Sequence, residues 1–133
     1  MKIVGIADLH GEVGMLPAIL KGEQPIDVLL FMGDITDFGG ADDMRVIYER
    51  AKPYAGRILG VAGNCDQPDV EEFLHSQGAS LDGRSVTVDG VGFVGAGKSL
   101  PCPGTTPNET GEDQFALTLA RARAALPLDA KVV

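Results

Sequence analysis

Three short segments carry the residues best suited to chemistry: Asp8-Leu9-His10-Gly11, Gly33-Asp34-Ile35-Thr36-Asp37 and Gly63-Asn64-Cys65-Asp66. Each gathers oxygen, nitrogen or sulfur donors within a few residues. Side chains two apart in an extended segment point the same way, so Asp8 and His10 can converge on one point. A mixed set of carboxylate and imidazole ligands suits Mn, Fe, Zn or similar cations better than Mg or Ca, which favour oxygen alone. Asp34 has two carboxylate oxygens and can bridge two cations at the ~3.5–4 Å separation of two-metal hydrolytic sites. Asn64 offers a neutral carbonyl oxygen to the second cation. A Gly-Asp pair or an Asp-x-His alone is common in turns and caps. The three together, in this order, are far more specific.

The elements that position these groups repeat one pattern. KIVGIADLHG, DVLLFMGDITD and RILGVAGNCD each run from aliphatic or small residues straight into Gly, Asp, Asn or His. They read as strands buried on both faces, the kind found in parallel sheets. Between them, Val13, Leu16 and Leu20 have helical spacing, with Pro17 suited to a first turn. Met44, Ile47 and Tyr48 share another helical face, with Asp42 and Asp43 in the first turn and Arg50 and Lys52 near the end, as the helix dipole favours. Strand-helix-strand crossovers are almost always right-handed, so all three polar strand ends emerge at one edge of the sheet. Open α/β sheets bind ligands at that edge.

These motifs resemble those of the calcineurin-like metallophosphoesterases, whose D-x-H, G-D-x-x-D and G-N-H-D/E pattern is matched by DLHG, GDITD and GNCD. The resemblance implies an α/β sandwich of two β-sheets between helices, here an N-terminal βαβαβ unit plus a β-hairpin. It implies two divalent metal ions (Mn, Fe, Zn or Ni, with Mn the first choice). Asp8 and His10 would bind the first ion, Asp34 would bridge and Asn64 would bind the second. The implied reaction is hydrolysis of a small phosphate mono- or diester by attack of a metal-bound hydroxide, with Asn64 and Cys65 at catalytic positions. The alternative is a catalytically inactive module that keeps the fold to bind partners.

Two departures from the family pattern stand out. Cys65 takes the place of a histidine that can protonate the leaving group. A thiol, with a free pKa of ~8.5, is the poorer donor, so substrates with good leaving groups are expected. Cys65 reads equally well as a small, partly buried apolar side chain. Relatives also complete the site with later histidines, whereas this chain has two, His10 and His75. His75 falls on a helix whose apolar side is Val70, Phe73 and Leu74, and is expected at its surface. The final LDAKVV reads as the start of a strand, so residues 1–133 are expected to form one domain that lacks its C-terminal part. A homo-oligomer in which a partner chain supplies the absent ligands fits the same pattern.

Residues 92–99, GFVGAGKS, match the P-loop pattern letter for letter. A working P-loop follows a strand and opens a helix, but LPCPG comes next and its prolines forbid one. Val86, Val88, an Asp89-Gly90 turn, Val91 and Phe93 instead spell a β-hairpin. Lys98 is then a loop lysine, expected near the substrate phosphate. Residues 95–111 form a long Pro, Gly and Thr loop expected beside the metal edge, since such loops are usually functional or disordered. Thr110, with Asp113 three residues on, is expected to cap a helix carrying Phe115, Leu119, Ala122 and Leu126 along one side and closed by Pro127.

Bulk properties bound the rest. The chain has 133 residues, 44% of them hydrophobic, and a formal net charge of −8. The length suits one domain, and the charge argues against nucleic acid as a stable partner. The longest apolar run, Ile26 to Met32, is far short of the ~20 residues of a membrane helix. With no leader visible after Met1, no membrane association and a cytoplasmic location are expected, and Cys65 and Cys102 are expected as free thiols.

Overall fold

Ile26–Met32, the longest apolar run, forms β2, the central strand of a three-stranded parallel sheet with β1 (Ile3–Ile6) on one side and β3 (Ala55–Val61) on the other. The computed structural model describes residues 1–127 and 129–133. In register, Val28 lies beside Ile3 and Arg57, and Phe31 beside Ile6 and Gly60. Helices α1 (Leu16–Glu23), α2 (Ala41–Ala51) and α3 (Pro68–Ser76) cover one face of this sheet. The other face packs on a second sheet of β4 (Ser85–Val88), β5 (Val91–Val94) and β6 (Lys131–Val132). Helix α4 (Glu112–Ala124) lies against β5. The expected sandwich of two sheets flanked by helices is the fold observed.

Period-two alternation along β2 divides the core. Leu29 and Phe31 face the helices, with Leu16, Leu20, Met44, Ile47, Val70 and Leu74 around them. Val28 and Leu30 face the second sheet and meet Leu59, Leu81 and Phe93. Burying each such side chain contributes roughly 1.5–3 kcal/mol. Tyr48 and Phe73 add an edge-to-face contact between α2 and α3, with ring centroids 5.6 Å apart, and the Arg45 guanidinium lies 5.2 Å from the Phe73 centroid.

The strands are not all buried on both faces. β2 is, but β1 pairs with one neighbour only, its Gly5 is exposed and its aliphatic residues are half-buried. β3 opens with an exposed Gly56-Arg57 pair before sinking into the core at Ile58. An edge strand meets the sequence pattern of a central one because its inward side chains are the same.

In the second half, β4 and β5 form the expected hairpin, with Val86 opposite Phe93 and Asp89-Gly90 both at positive φ (48° and 78°), the geometry of a primed two-residue turn. Gly92 sits inside β5, where a Cβ would stand 2.4 Å from Leu126 Cδ1. It is a packing glycine, and no helix opens after Ser99 until Glu112. LDAKVV does supply a strand, β6, which pairs parallel to β5. Helix α4 departs from expectation twice. Its N-cap is Gly111, with no side-chain cap, rather than Thr110. Its buried side is thin: Ala122 and, just past its end, Leu126 are buried, while Leu119 is 43% exposed. Among the described residues, α4 touches the sheets chiefly along β5, which leaves Leu119 on its open side.

Candidate metal centre

The segments after β1, β2 and β3 meet at one edge of the first sheet, joined by their main chains. Asp8 N–H donates to the Gly33 carbonyl (3.2 Å), His10 N–H to the Asp34 carbonyl (2.9 Å) and Gly11 N–H to the Ile35 carbonyl (2.9 Å). This ladder extends the β1–β2 pairing past the strands. Asp8, His10 and Asp34 all hold left-handed φ, at 52°, 45° and 49°. Such backbone costs of order 1–3 kcal/mol per non-glycine residue and persists where the surroundings over-determine it.

The third segment is fixed by Asp66. Its side chain is fully buried and accepts four hydrogen bonds: from Ile35 N–H (3.2 Å), Thr36 N–H (2.8 Å), Thr36 Oγ1 (2.7 Å) and Gly63 N–H (2.7 Å). A buried carboxylate needs such donors to remain in place. Asp66 thereby locks GNCD onto GDITD. Close approach also demands glycine: a Cβ on Gly63 would stand 2.2 Å from the Asp34 backbone nitrogen.

One donor atom each from Asp8, His10 and Asp34 lies within 4.8 Å of the others, and His10 Nε2 is 4.0 Å from Asp8 Oδ1. Atoms that share a cation at ~2.1 Å stand at most ~4.2 Å apart, so side-chain adjustments of about half an ångström bring the three together. Asp8 and His10 are exposed and Asp34 half-buried, which leaves the group open to ligand. Asp34 Oδ1 accepts from Cys65 N–H at 2.9 Å, which sets Asn64 and Cys65 next to it. Asn64 Nδ2 lies 3.6 Å from Cys65 Sγ, and Asn64 Oδ1 accepts none of the described hydrogen bonds, so it is available to a cation. Partial burial and then the Asp34 carboxylate push the Cys65 thiol up from its ordinary range. Cys65 and Cys102 are both free thiols.

The other polar residues of the strand ends stand apart from this cluster. Asp66 is turned inward as described, and Asp37 is exposed beside Gly11, where it lines a small recess with Val13 and Val46. His75 is exposed on α3, facing Glu71, Glu72 and Arg84. The long loop does reach the site. Lys98 N–H donates to the Ala62 carbonyl (2.8 Å), and Asn108 donates through its backbone to the Asn64 carbonyl and through Nδ2 to the Gly63 carbonyl, both at 3.1 Å. Asn108 is buried and straps the loop to GNCD. Sequence reasoning missed it, since one asparagine in a Pro, Gly and Thr stretch has no periodic signal. Glu71 was missed as well: it accepts from Ala62 N–H (3.2 Å) and from the Ser80 hydroxyl, and burial raises its carboxyl above the ordinary range despite those two donors.

A fold of two sheets between helices, with Asp, His and Asp converging at the first sheet's edge, defines a metallophosphoesterase-like protein. The family model for calcineurin-like phosphoesterases matches residues 1–120, and the chain belongs to that family. It is 38% identical over 115 residues to the uncharacterized protein MJ1162 of Methanocaldococcus jannaschii. That match covers 86% of this chain and 51% of the relative, so the chain spans about half the length of the protein it matches. Among the described residues, no helix is long and apolar enough to cross a membrane.

Proposed function

We propose that this chain is a metal-dependent phosphoesterase acting on small phosphate mono- or diesters. The observation that carries this reading is the convergence of Asp8, His10 and Asp34 donor atoms within 4.8 Å. These three residues, with Asn64 next along the chain to Cys65, whose N–H binds Asp34, would hold divalent cations. Such cations lower the pKa of bound water and offset charge on the phosphoryl oxygens.

The chain's own groups orient and protonate. Cys65 N–H donates to Asp34 Oδ1 and steadies the carboxylate that would serve as a metal ligand. A thiol such as that of Cys65 is a weak hydrogen-bond donor. Aryl phosphates and other esters with good leaving groups are therefore the favoured class.

The test is Mn2+ titration with p-nitrophenyl phosphate. Turnover that rises with Mn2+ and falls by more than about 100-fold in Asp34→Asn supports the proposal. Cys65→His should then improve an alkyl phosphate selectively over the aryl ester. A second reading, a non-catalytic binding module, is favoured by the count of ligands: among the described residues, one cluster of three is found. Mn2+ binding without turnover would decide for it.

A further inference from the structure

A cavity of about 220 Å3, lined by none of the candidate metal ligands, lies between the Asp82 turn, the Gly97-Lys98 strap and one face of α4. Gln114, Thr118 and Arg121 line it at the spacing of a single helical face, with Thr110 at the rim. At ~30 Å3 per water, the space equals about seven waters, room for a phosphate group and part of its hydration.

The chain carries 19 acidic side chains against 11 basic ones; Lys98 and Arg121, like most of its lysines and arginines, take part in none of the described ion pairs. Both face the cavity. Lys98 is held at a left-handed φ of 70° by its N–H bond to the Ala62 carbonyl, a backbone state that costs energy and here sets where the lysine stands. Asp82 is pinned by Gly97 N–H on Oδ1 (2.9 Å), and its Oδ2 takes part in no described hydrogen bond.

We propose that this cavity binds phosphate, as the free ion or as a phosphoryl group of a small molecule, with Lys98 and Arg121 as the cationic clamp. Arginine matches the geometry of phosphate oxygens and lysine adds a point charge. Threonine hydroxyls and the Gln114 amide supply neutral donors. Asp82 Oδ2 adds selectivity. It accepts from a phosphate oxygen that keeps its proton near neutral pH, and it repels sulfate, which has no proton to give.

The experiment titrates the metal-free chain, in EDTA, with inorganic phosphate and separately with sulfate, followed by calorimetry. One phosphate should bind per chain in the millimolar range or tighter, with sulfate weaker. Arg121→Ala and Lys98→Ala should each weaken phosphate about tenfold or more, whereas Asp34→Asn should leave it unchanged. Asp82→Asn should bring sulfate close to phosphate. Arg121 and Lys98 are both exposed, so these variants are expected to fold, and an unchanged thermal melt verifies it. Absence of phosphate binding without metal, or binding indifferent to Arg121→Ala, overturns the proposal whether or not the chain hydrolyses esters. In a second arm with Mn2+, a KM raised by Arg121→Ala for a bisphosphorylated substrate but not for phenyl phosphate assigns the site to the substrate's second phosphoryl group. KM values that Arg121→Ala leaves unchanged for both substrates, while the same variant weakens inorganic phosphate binding, assign it to the free ion.

Discussion

β2 and α4 sit in the same small protein but are held in different ways. β2 buries five of its seven residues, between helices on one side and a second sheet on the other. α4 has 13 residues, of which Ala122 is buried, and it leaves Leu117 and Leu119 about half exposed. The metal centre hangs from the first kind of element and the proposed phosphate cavity from the second. Strand ends locked by main-chain and buried carboxylate bonds can hold charged groups in strained backbone. A thinly packed helix instead offers side chains that adjust to a ligand.

That contrast can be broken experimentally, and the largest effect is expected at Asp66. Asp66→Ala strands three buried N–H donors, of Ile35, Thr36 and Gly63, while the Thr36 hydroxyl keeps the Gly39 carbonyl, and should lower unfolding free energy by about 3 kcal/mol or more in urea titration, with weakened Mn2+ binding. A loss below about 1 kcal/mol would show that the loops are held by their ladder alone.

Glu71 gives a smaller, pH-dependent effect. Burial raises its folded pKa above the ordinary 4.5, so folding takes up a proton in the pH range that begins there and extends upward. Stability from this group is fully present below that range and falls as pH rises through it. Glu71→Gln should flatten the fall in a series of thermal melts across that range. An unaltered pH profile would place the titration elsewhere.

The smallest effect belongs to α4. Leu119→Ser should change stability by no more than about 0.5 kcal/mol, the usual range for surface positions. A cost of 2 kcal/mol would mean that α4 is packed as firmly as β2, and the contrast would fail.

The first half was legible because its information is local. An aliphatic run followed by Gly-Asp or Gly-Asn announces a strand and its polar end together, and the three motifs did converge. Asp66 was rightly left out of the ligand set, but its role as a lock was not legible, because it depends on where the distant Ile35 and Thr36 N–H groups arrive. β1 read as a buried strand because sequence records side chains and not missing neighbours. Thr110 and Asp113 have the spacing of a cap, but the helix begins one residue later than that pattern requires. Leu119 fits a helical stripe but is 43% exposed. In each case the side chain's surroundings are set by contacts far along the chain.

The rungs that tie Asp8, His10 and Gly11 to Gly33, Asp34 and Ile35 have a consequence for metal uptake. Because peptide groups set the backbone spacing, a cation bound here would order the exposed Asp8 and His10 side chains but not the segments that carry them. Its affinity should then depend on charge and desolvation far more than on the ordering of loops.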